Sequence, residues 1–125
     1  MGHGYFLWSD SSYYEGNFES NAINGSGEYH WVDGRSFIGT WFNNVMQGRG
    51  VFTWPDGRKY VGEYMNDQKH GFGTYSWPDG KRYEGNWIKG KQHGLGKFYN
   101  KEGKSAEGEW HNGRRIRWLG DGIKT

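Results

Sequence analysis

The residues of this chain that are capable of chemistry are few, and their spacing favours binding over catalysis. The sequence has no cysteine, and Ser26, within Gly25-Ser-Gly27, is the serine that we consider as a nucleophile. A nucleophile needs a base within reach and a group to orient that base, and Ser26 sits in a repeated Gly-x-Gly segment, not in a nucleophile elbow. Glu107 and Glu109 share one face of a predicted strand as solvated carboxylates. We therefore predict no catalytic residue and no enzyme activity.

Histidines are the remaining candidates for metal chemistry. His70 and His93 lie at equivalent positions of two units that repeat every 23 residues. If each unit contributes two strands, the two side chains are about 10 Å apart, which is too far to share one ion. We expect these histidines to form hydrogen bonds near turns, and we predict no metal and no cofactor.

Aromatic rings are the most abundant means of binding in this chain, with eight Trp, nine Tyr and seven Phe in 125 residues. Tyr14, Phe37, Tyr60 and Tyr83 each begin a unit of the repeat. Each packed ring buries about 150–250 Å², so rings supply the core that the scarce aliphatic residues do not. A single sheet has no second layer to cover this face, and we expect part of it to form a partner-binding groove. The predicted groove residues are Phe18, Tyr29, Trp31, Phe37, Trp41, Phe52, Trp54, Tyr60, Tyr64, Tyr75, Trp77, Tyr83 and Trp87.

Positive charge recurs at the same period, just after the predicted turns. These cations are expected to lie about 10 Å apart along one edge of the sheet. That arrangement suits anionic lipid headgroups, and each cation near the membrane surface contributes roughly 1 kcal/mol of binding free energy. The alternative is an edge kept charged for solubility, with Asp33, Asp56 and Asp79 cancelling much of the field. Because the net charge is only +2, we predict no binding to nucleic acid. The predicted cationic ladder comprises Arg35, Arg58, Lys59, Lys81, Arg82 and Lys104.

Short strands must position these side chains. In Tyr60-Val-Gly-Glu-Tyr64 the two rings and the glycine share one face, because side chains alternate along a strand. Gly71 and Gly73 are expected to share that face in the next strand, with rings from neighbouring strands lying across the bare backbone. Asp56-Gly57 and its equivalents are strong hairpin signals, and Lys69 is expected to be an exposed charge. The predicted fold class is all-β: a single-layer antiparallel solenoid of successive β-hairpins, elongated and twisted into a trough.

Residues 1–125 are predicted to form a single repeat array. Because the array begins inside a repeat, we expect the chain to be a segment of a longer protein. The segment Arg114-Arg-Ile-Arg-Trp118 breaks the glycine rule, which is typical of a terminal cap. The predicted divisions are a partial repeat at 1–13, full repeats at 14–36, 37–59, 60–82 and 83–105, a capping repeat at 106–119 and a tail at 120–125.

Two units carry a pattern that resembles a known family. Tyr83-Glu-Gly-Asn-Trp87, followed by Gly90-Lys91-Gln-His93-Gly94-Leu-Gly96, is similar to the MORN repeat (membrane occupation and recognition nexus). Tyr60-Val-Gly-Glu-Tyr64 with Lys69-His70-Gly71-Phe-Gly73 matches nearly as well, and the resemblance spans about residues 2–113. It departs at Ile38-Gly-Thr40, where the usual Glu is absent, without disturbing the period. The resemblance implies a β-hairpin solenoid that acts as a scaffold for proteins or phospholipids.

The predicted function is therefore a non-catalytic interaction scaffold that binds a protein or peptide along the aromatic groove. Two alternatives stay open at this point: an adaptor for anionic phospholipids or phosphoinositides, and the regulatory segment of a larger enzyme such as a lipid kinase or a methyltransferase. We expect a cytoplasmic protein that associates peripherally with a membrane or the cytoskeleton. The open ends of the sheet are surfaces through which copies of the chain could form oligomers.

Overall fold

The computed structural model describes residues 2–120, and these residues form strands and turns without a helix. The strands join in sequence order into one open sheet, and every neighbouring pair is antiparallel. The predicted single-layer solenoid of β-hairpins is confirmed. Of the predicted tail at 120–125, residues 121–125 lie outside the described part of the chain. The strands are β1 (Gly2–Leu7), β2 (Tyr13–Glu19), β3 (Ala22–His30), β4 (Ser36–Phe42), β5 (Val45–Thr53), β6 (Lys59–Met65), β7 (Gln68–Ser76), β8 (Arg82–Ile88), β9 (Lys91–Tyr99), β10 (Ser105–His111) and β11 (Arg114–Leu119).

Two kinds of turn alternate along the sheet. Within a repeat the loop has two residues, as at Asn43-Asn44, where φ is 46° and 70°. Positive φ at both residues matches the right-handed twist of the flanking strands, and asparagine tolerates it better than most residues. Between repeats the Asp-Gly turn closes when the Gly57 amide donates to the Trp54 carbonyl at 3.0 Å. The Asp56 carboxylate accepts a hydrogen bond from the Arg58 amide at 3.0 Å, and this bond also stabilises the turn.

A row of glycines crosses the sheet at the level where the largest rings lie. Gly50 pairs with Gly62 between repeats, and Gly62 pairs with Gly73 within one. A Cβ atom on Gly73 would lie 2.2 Å from the Tyr60 hydroxyl oxygen, and one on Gly50 would lie 2.2 Å from Phe37 Cζ. Both distances are far inside van der Waals contact, so the row is glycine because the rings lie directly on the backbone. The row consists of Gly4, Gly16, Gly27, Gly39, Gly50, Gly62, Gly73, Gly85, Gly96 and Gly108.

The first glycine of each Gly-x-Gly segment has a different task from the second. The sequence predicts both as ordinary strand residues on one face. In the structure the pairing of β6 with β7 shifts between Gly62 and Tyr64, which is a β-bulge. Gly71 lies opposite this shift with φ of 74°, in the region that favours glycine. The equivalent residues Gly25, Gly48 and Gly94 have φ of 93°, 88° and 78°.

One continuous row of rings forms the core of this single sheet. Neighbouring rings meet edge to face, as between Tyr60 and Trp87 at 5.5 Å and 88°, and between Tyr83 and Trp87 at 5.3 Å and 89°. Edge-to-face contacts are a favoured geometry because the positive ring edge meets the negative face. Tyr60 and Tyr83 also donate their hydroxyl hydrogens to the carbonyls of Glu63 and Asn86, each at 3.0 Å. This buried row comprises Tyr14, Phe37, Trp41, Tyr60, Tyr64, Tyr83, Trp87 and Trp110.

Candidate functional site: the ring face of the sheet

A second row of rings lies beside the buried row and is within reach of solvent. Consecutive rings are in contact: Tyr29 with Trp31 at 4.6 Å between ring centroids, and Trp31 with Phe52 at 5.3 Å. Farther along, Trp54 and Tyr75 are 5.5 Å apart and Tyr75 and Trp77 are 4.7 Å apart. Except for the buried Phe52, these rings are half-buried. This open row comprises Tyr29, Trp31, Phe52, Trp54, Tyr75, Trp77 and Phe98.

All of the predicted groove residues except Phe18 therefore divide between the two rows. Phe37, Tyr60 and Tyr83 are fully buried, with no exposed surface. Burial also raises the pKa of the Tyr60 and Tyr64 hydroxyls well above their usual value, as expected for groups inside a core. The predicted groove residues that remain reachable are Phe18, Tyr29, Trp31, Trp54, Tyr75 and Trp77. The sequence placed all of them on one face correctly, but it held no signal that separates the two rows.

The residues of the predicted cationic ladder are largely paired with carboxylates. Arg35 lies 2.8 Å from Asp33, Arg58 lies 2.7 Å from Asp56, and Lys81 lies 3.1 Å from Asp79. The pKa of each aspartate is held below its usual value, chiefly by a hydrogen bond from the backbone amide of its partner. Each of these three turns is therefore close to neutral.

The ladder is also split between the two faces of the sheet. Arg35 and Arg58 precede buried-row residues by two positions, and their guanidinium groups lie 5.2 Å from the Trp31 and Trp54 ring centroids. Lys59 and Arg82 each precede a buried-row residue by one position, so they belong to the opposite face. The Arg82 guanidinium lies 3.6 Å from the Tyr99 ring centroid.

Lys69 is the cation that the sequence placed wrongly. It is half-buried and not exposed, because its side chain lies over the buried row. Its Nζ atom is 5.4 Å from the ring centroid of Trp87, 5.7 Å from that of Tyr60 and 5.8 Å from that of Tyr75. Burial lowers the pKa of Lys69, since the charged form loses hydration. Ile23 and Met46 occupy the equivalent position in two other repeats. These apolar residues are the signal in the sequence that the position of Lys69 is not an exposed one.

At least two cavities open on the ring face of residues 2–120, and both of these lie in the carboxyl-terminal half. One of about 270 Å³ is lined by Lys69, Tyr75, Trp77, Trp87, Gly90 and Gln92, among others. The other, of about 240 Å³, is lined by Trp77, Gln92, Phe98, Trp110, Arg115 and Trp118. A larger cavity of about 520 Å³ lies on the opposite face, over the glycine row, and Glu15 and Glu28 are among its lining residues. The sequence predicted none of these three cavities.

The structure brings together a histidine pair that the sequence did not predict. The His93 and His111 ring centroids are 5.0 Å apart on adjacent strands β9 and β10. His93 Nδ1 is buried and has no hydrogen-bond partner within residues 2–120. No group of three or more histidines and carboxylates converges as a metal site in the described part of the chain. Glu109, considered above as a member of an acid pair, forms an ion pair with Arg117 at 3.0 Å.

The MORN repeat model matches residues 14–34, 37–57, 60–82, 83–104 and 107–115. The chain matches none of the curated proteins with which it was compared. Within residues 2–120 no helix is long and apolar enough to cross a membrane.

MORN repeats are a non-enzymatic family of modules that mediate interactions with proteins or membrane lipids. Five matched segments, spanning more than half of the chain, coincide with the hairpins described above. The chain belongs to the MORN repeat family.

Proposed function

We propose that this protein is an interaction scaffold that binds an extended segment of a protein partner along the open row. The observation that carries the proposal is the continuity of the row: its rings remain in contact from Tyr29 to Trp77 and, apart from the buried Phe52, are half-buried on a sheet that has no second layer. Half-exposed tryptophan is a side chain on which protein contacts depend disproportionately.

The spacing of the row favours an extended segment over a helix. Trp31, Trp54 and Trp77 are each separated by two strands, and two strand spacings are about 9.4–9.8 Å. A polyproline II segment returns to the same side every three residues, or about 9.3 Å. A helix returns after seven residues, or about 10.5 Å, and this mismatch accumulates from repeat to repeat.

Charge favours a protein partner over a membrane. The ladder cations Arg35, Arg58 and Lys81 each have an aspartate within ion-pair distance, so they add little attraction for headgroups. Lys69 and Arg115, in contrast, line cavities on the ring face and form no ion pair in the described part of the chain. An acidic segment with apolar side chains complements this surface.

Selection from a displayed library of random peptides of about 12 residues tests the proposal, because an extended peptide of that length spans three to four repeats. Selected peptides are then synthesised and their binding to the protein is measured by fluorescence anisotropy. We expect Trp54→Ala and Trp77→Ala to weaken binding by about tenfold or more, since each removes a central ring. Phe72→Ala is the matched control, because Phe72 is 55% exposed and lies on the opposite face.

Two results would overturn the proposal. One is the absence of any peptide whose binding depends on Trp54 or Trp77, although near-ultraviolet circular dichroism shows that both variants are folded. The other is tight, salt-sensitive sedimentation with phosphatidylserine vesicles that survives these substitutions and is lost when Arg58, Lys59 and Lys81 are changed to Glu.

A further inference from the structure

In the first two full repeats, a side chain of the following repeat accepts a hydrogen bond from one strand amide. The Ile23 amide donates to Asn44 Oδ1 at 2.8 Å, and the Met46 amide donates to Asp67 Oδ1 at 2.6 Å. The same two turn residues return a bond, since the Asn44 and Asp67 amides donate to the carbonyls of Ile23 and Met46 at 3.0 Å. Neighbouring repeats are thus joined by a reciprocal pair of bonds.

In the next repeat one member of this pair is missing. The Gly90 amide still donates to the Lys69 carbonyl at 2.9 Å, so the turn lies in the same position. Glycine has no side chain that could accept a hydrogen bond from the Lys69 amide. No other side chain within residues 2–120 accepts one from it either. A Cβ atom on Gly90 would meet nothing within 4 Å. Lys69 and Gly90, the two residues of this incomplete pair, both line the 270 Å³ cavity.

The charge around this cavity is positive and unmatched. Lys69 Nζ lies over aromatic rings that contribute no formal charge, and no carboxylate within residues 2–120 is at ion-pair distance from it. Lys91 also lines the cavity. Because the ammonium is half-buried, water screens its interaction with an anion less than it would at an open surface.

We propose that this cavity binds a carboxylate side chain, from an aspartate or glutamate of the partner segment. One carboxylate oxygen accepts a hydrogen bond from the Lys69 amide, as Asp67 does from the Met46 amide one repeat earlier. The carboxylate also forms an ion pair with the Lys69 ammonium group. Trp77 and Trp87 form the walls beside it. This inference rests on the proposed function, and it identifies an acidic residue as the element of the partner that the third full repeat recognises.

The internal precedent favours a carboxylate over a phosphate. Asp67 shows that a planar carboxylate fits the space in front of the strand amide at this position of the repeat. A phosphate needs several donors to match its oxygens, whereas a carboxylate matches one amide and one ammonium group.

A titration of the ¹⁵N-labelled full chain tests the inference. The probe is N-acetyl-aspartate N-methylamide, and its neutral isostere N-acetyl-asparagine N-methylamide is the control ligand. We expect a saturable shift of the Lys69 amide resonance with the aspartate probe and binding about tenfold weaker with the asparagine probe. The Met46 amide is the internal reference, because Asp67 already occupies its acceptor position.

Three variants sharpen the test. Gly90→Asp supplies the missing acceptor within the chain, and the φ of 82° at Gly90 is close to the 67° at Asp67, so the backbone suits it. We expect this variant to lose the response to the probe. Gly90→Ala makes the same backbone change without an acceptor and should keep the response. Lys69→Met, which copies Met46, should weaken binding of the probe about tenfold.

An equal response to the aspartate and asparagine probes would overturn the inference, as would an undiminished response in Gly90→Asp. Tighter binding of inorganic phosphate than of the aspartate probe would overturn the assignment to a carboxylate. Failure here is distinguishable from failure of the proposed function. Peptides that need Trp54 but no acidic residue would refute only the carboxylate site, whereas a Lys69 response without any ring-dependent peptide would refute only the extended-segment scaffold.

Discussion

The amino-terminal and carboxyl-terminal halves of this sheet have the same buried row but different surfaces beside it. At one equivalent position the residues are Ile23 and Met46 in the first half, each 8% exposed, and Lys69 in the second. The turns that contact these residues also differ. Asn44 and Asp67 offer a side-chain oxygen to the amides of Ile23 and Met46, whereas Gly90 offers none to Lys69. The first half is therefore closed at this level, whereas the second half contains the cavities of about 270 and 240 Å³.

This difference teaches that the repeat separates the residues that stabilise the sheet from the residues that vary its surface. The buried row and the glycine row are the same in both halves because each ring must lie on a bare backbone to fill a sheet with no second layer. The side chains at the position of Ile23 and Lys69 pack on the buried row, so a change of residue there alters the surface above the rings. Predictions that compare equivalent positions in the two halves test this separation.

The largest expected effect concerns the buried row, which the halves share. Phe37→Ala and Tyr60→Ala should each lower the free energy of unfolding by about 3–5 kcal/mol, because both rings are fully buried and leave a cavity. Urea denaturation measures both values. If Tyr60→Ala costs less than half as much as Phe37→Ala, the two halves do not share one core.

The next largest effect on stability is expected in the glycine row. Gly50→Val and Gly73→Val should each cost about 1–3 kcal/mol, since the new side chains would enter the space of Phe37 and Tyr60. Lys59→Ala is the control and should change stability by less than about 0.5 kcal/mol, because Lys59 is exposed. Thermal unfolding is the measurement, and shifts as small as that of the control would show that the rings move aside at little cost.

An exchange of Met46 and Lys69 tests the position at which the halves differ. Lys69→Met should raise the free energy of unfolding by about 1 kcal/mol near neutral pH, because a half-buried cation is replaced by a thioether that packs on rings. Met46→Lys should lower it by about 1–3 kcal/mol, because it places a charge in the closed half.

The pH dependence of Lys69→Met has a definite sign. Burial lowers the pKa of Lys69 in the folded protein below its ordinary value of 10.5. The folded state then releases its proton before the unfolded chain does, so the wild-type protein gains stability relative to the variant as pH rises through the folded pKa towards 10.5. A stability difference that stays constant across this range would show that Lys69 is not desolvated.

The smallest effect concerns a hydroxyl group. Tyr83→Phe should cost about 0.5–1.5 kcal/mol at neutral pH, because it removes the hydrogen bond to the Asn86 carbonyl while keeping the ring, as Phe37 does naturally. Burial raises the pKa of Tyr83 to about 12, above its ordinary value of 10.0. The hydroxyl therefore contributes stability that is complete below pH 10 and is lost as pH rises towards 12. Alkaline titration of unfolding should show a shallower loss for the variant.

Much of the fold could be predicted because its information is local and periodic. The alternation in Tyr60-Val-Gly-Glu-Tyr64 placed the rings on one face, and the turn residues placed the hairpins. The bulge at Gly71 could not be predicted in the same way, because it depends on the pairing of two strands whose register only the assembled hairpin sets. Sequence alternation therefore predicted the correct face for Gly73 but the wrong one for Gly71, where a Cβ atom would meet the Glu63 side chain on the opposite face.

The candidate site was predicted less completely, because exposure is not a local property. Trp41 and Trp31 are both tryptophans on the ring face, yet Trp41 is 7% exposed and Trp31 is half-buried. The difference arises from the rings that neighbouring repeats place over each residue. The ladder failed to form a single surface for a similar reason, since Lys59 and Arg58 alternate to opposite faces and Arg58 pairs with Asp56.

The sequence by itself determined the period, and with it the sheet, the turns and the set of rings from which the core is built, because strand alternation and turn geometry depend on residues close together in the chain. Tertiary structure alone decided which rings stay reachable, which cations are neutralised and which strand amides lack a side-chain acceptor. The physical reason is that these properties depend on contacts between repeats: whether the Lys69 amide is open depends on Gly90, one repeat away.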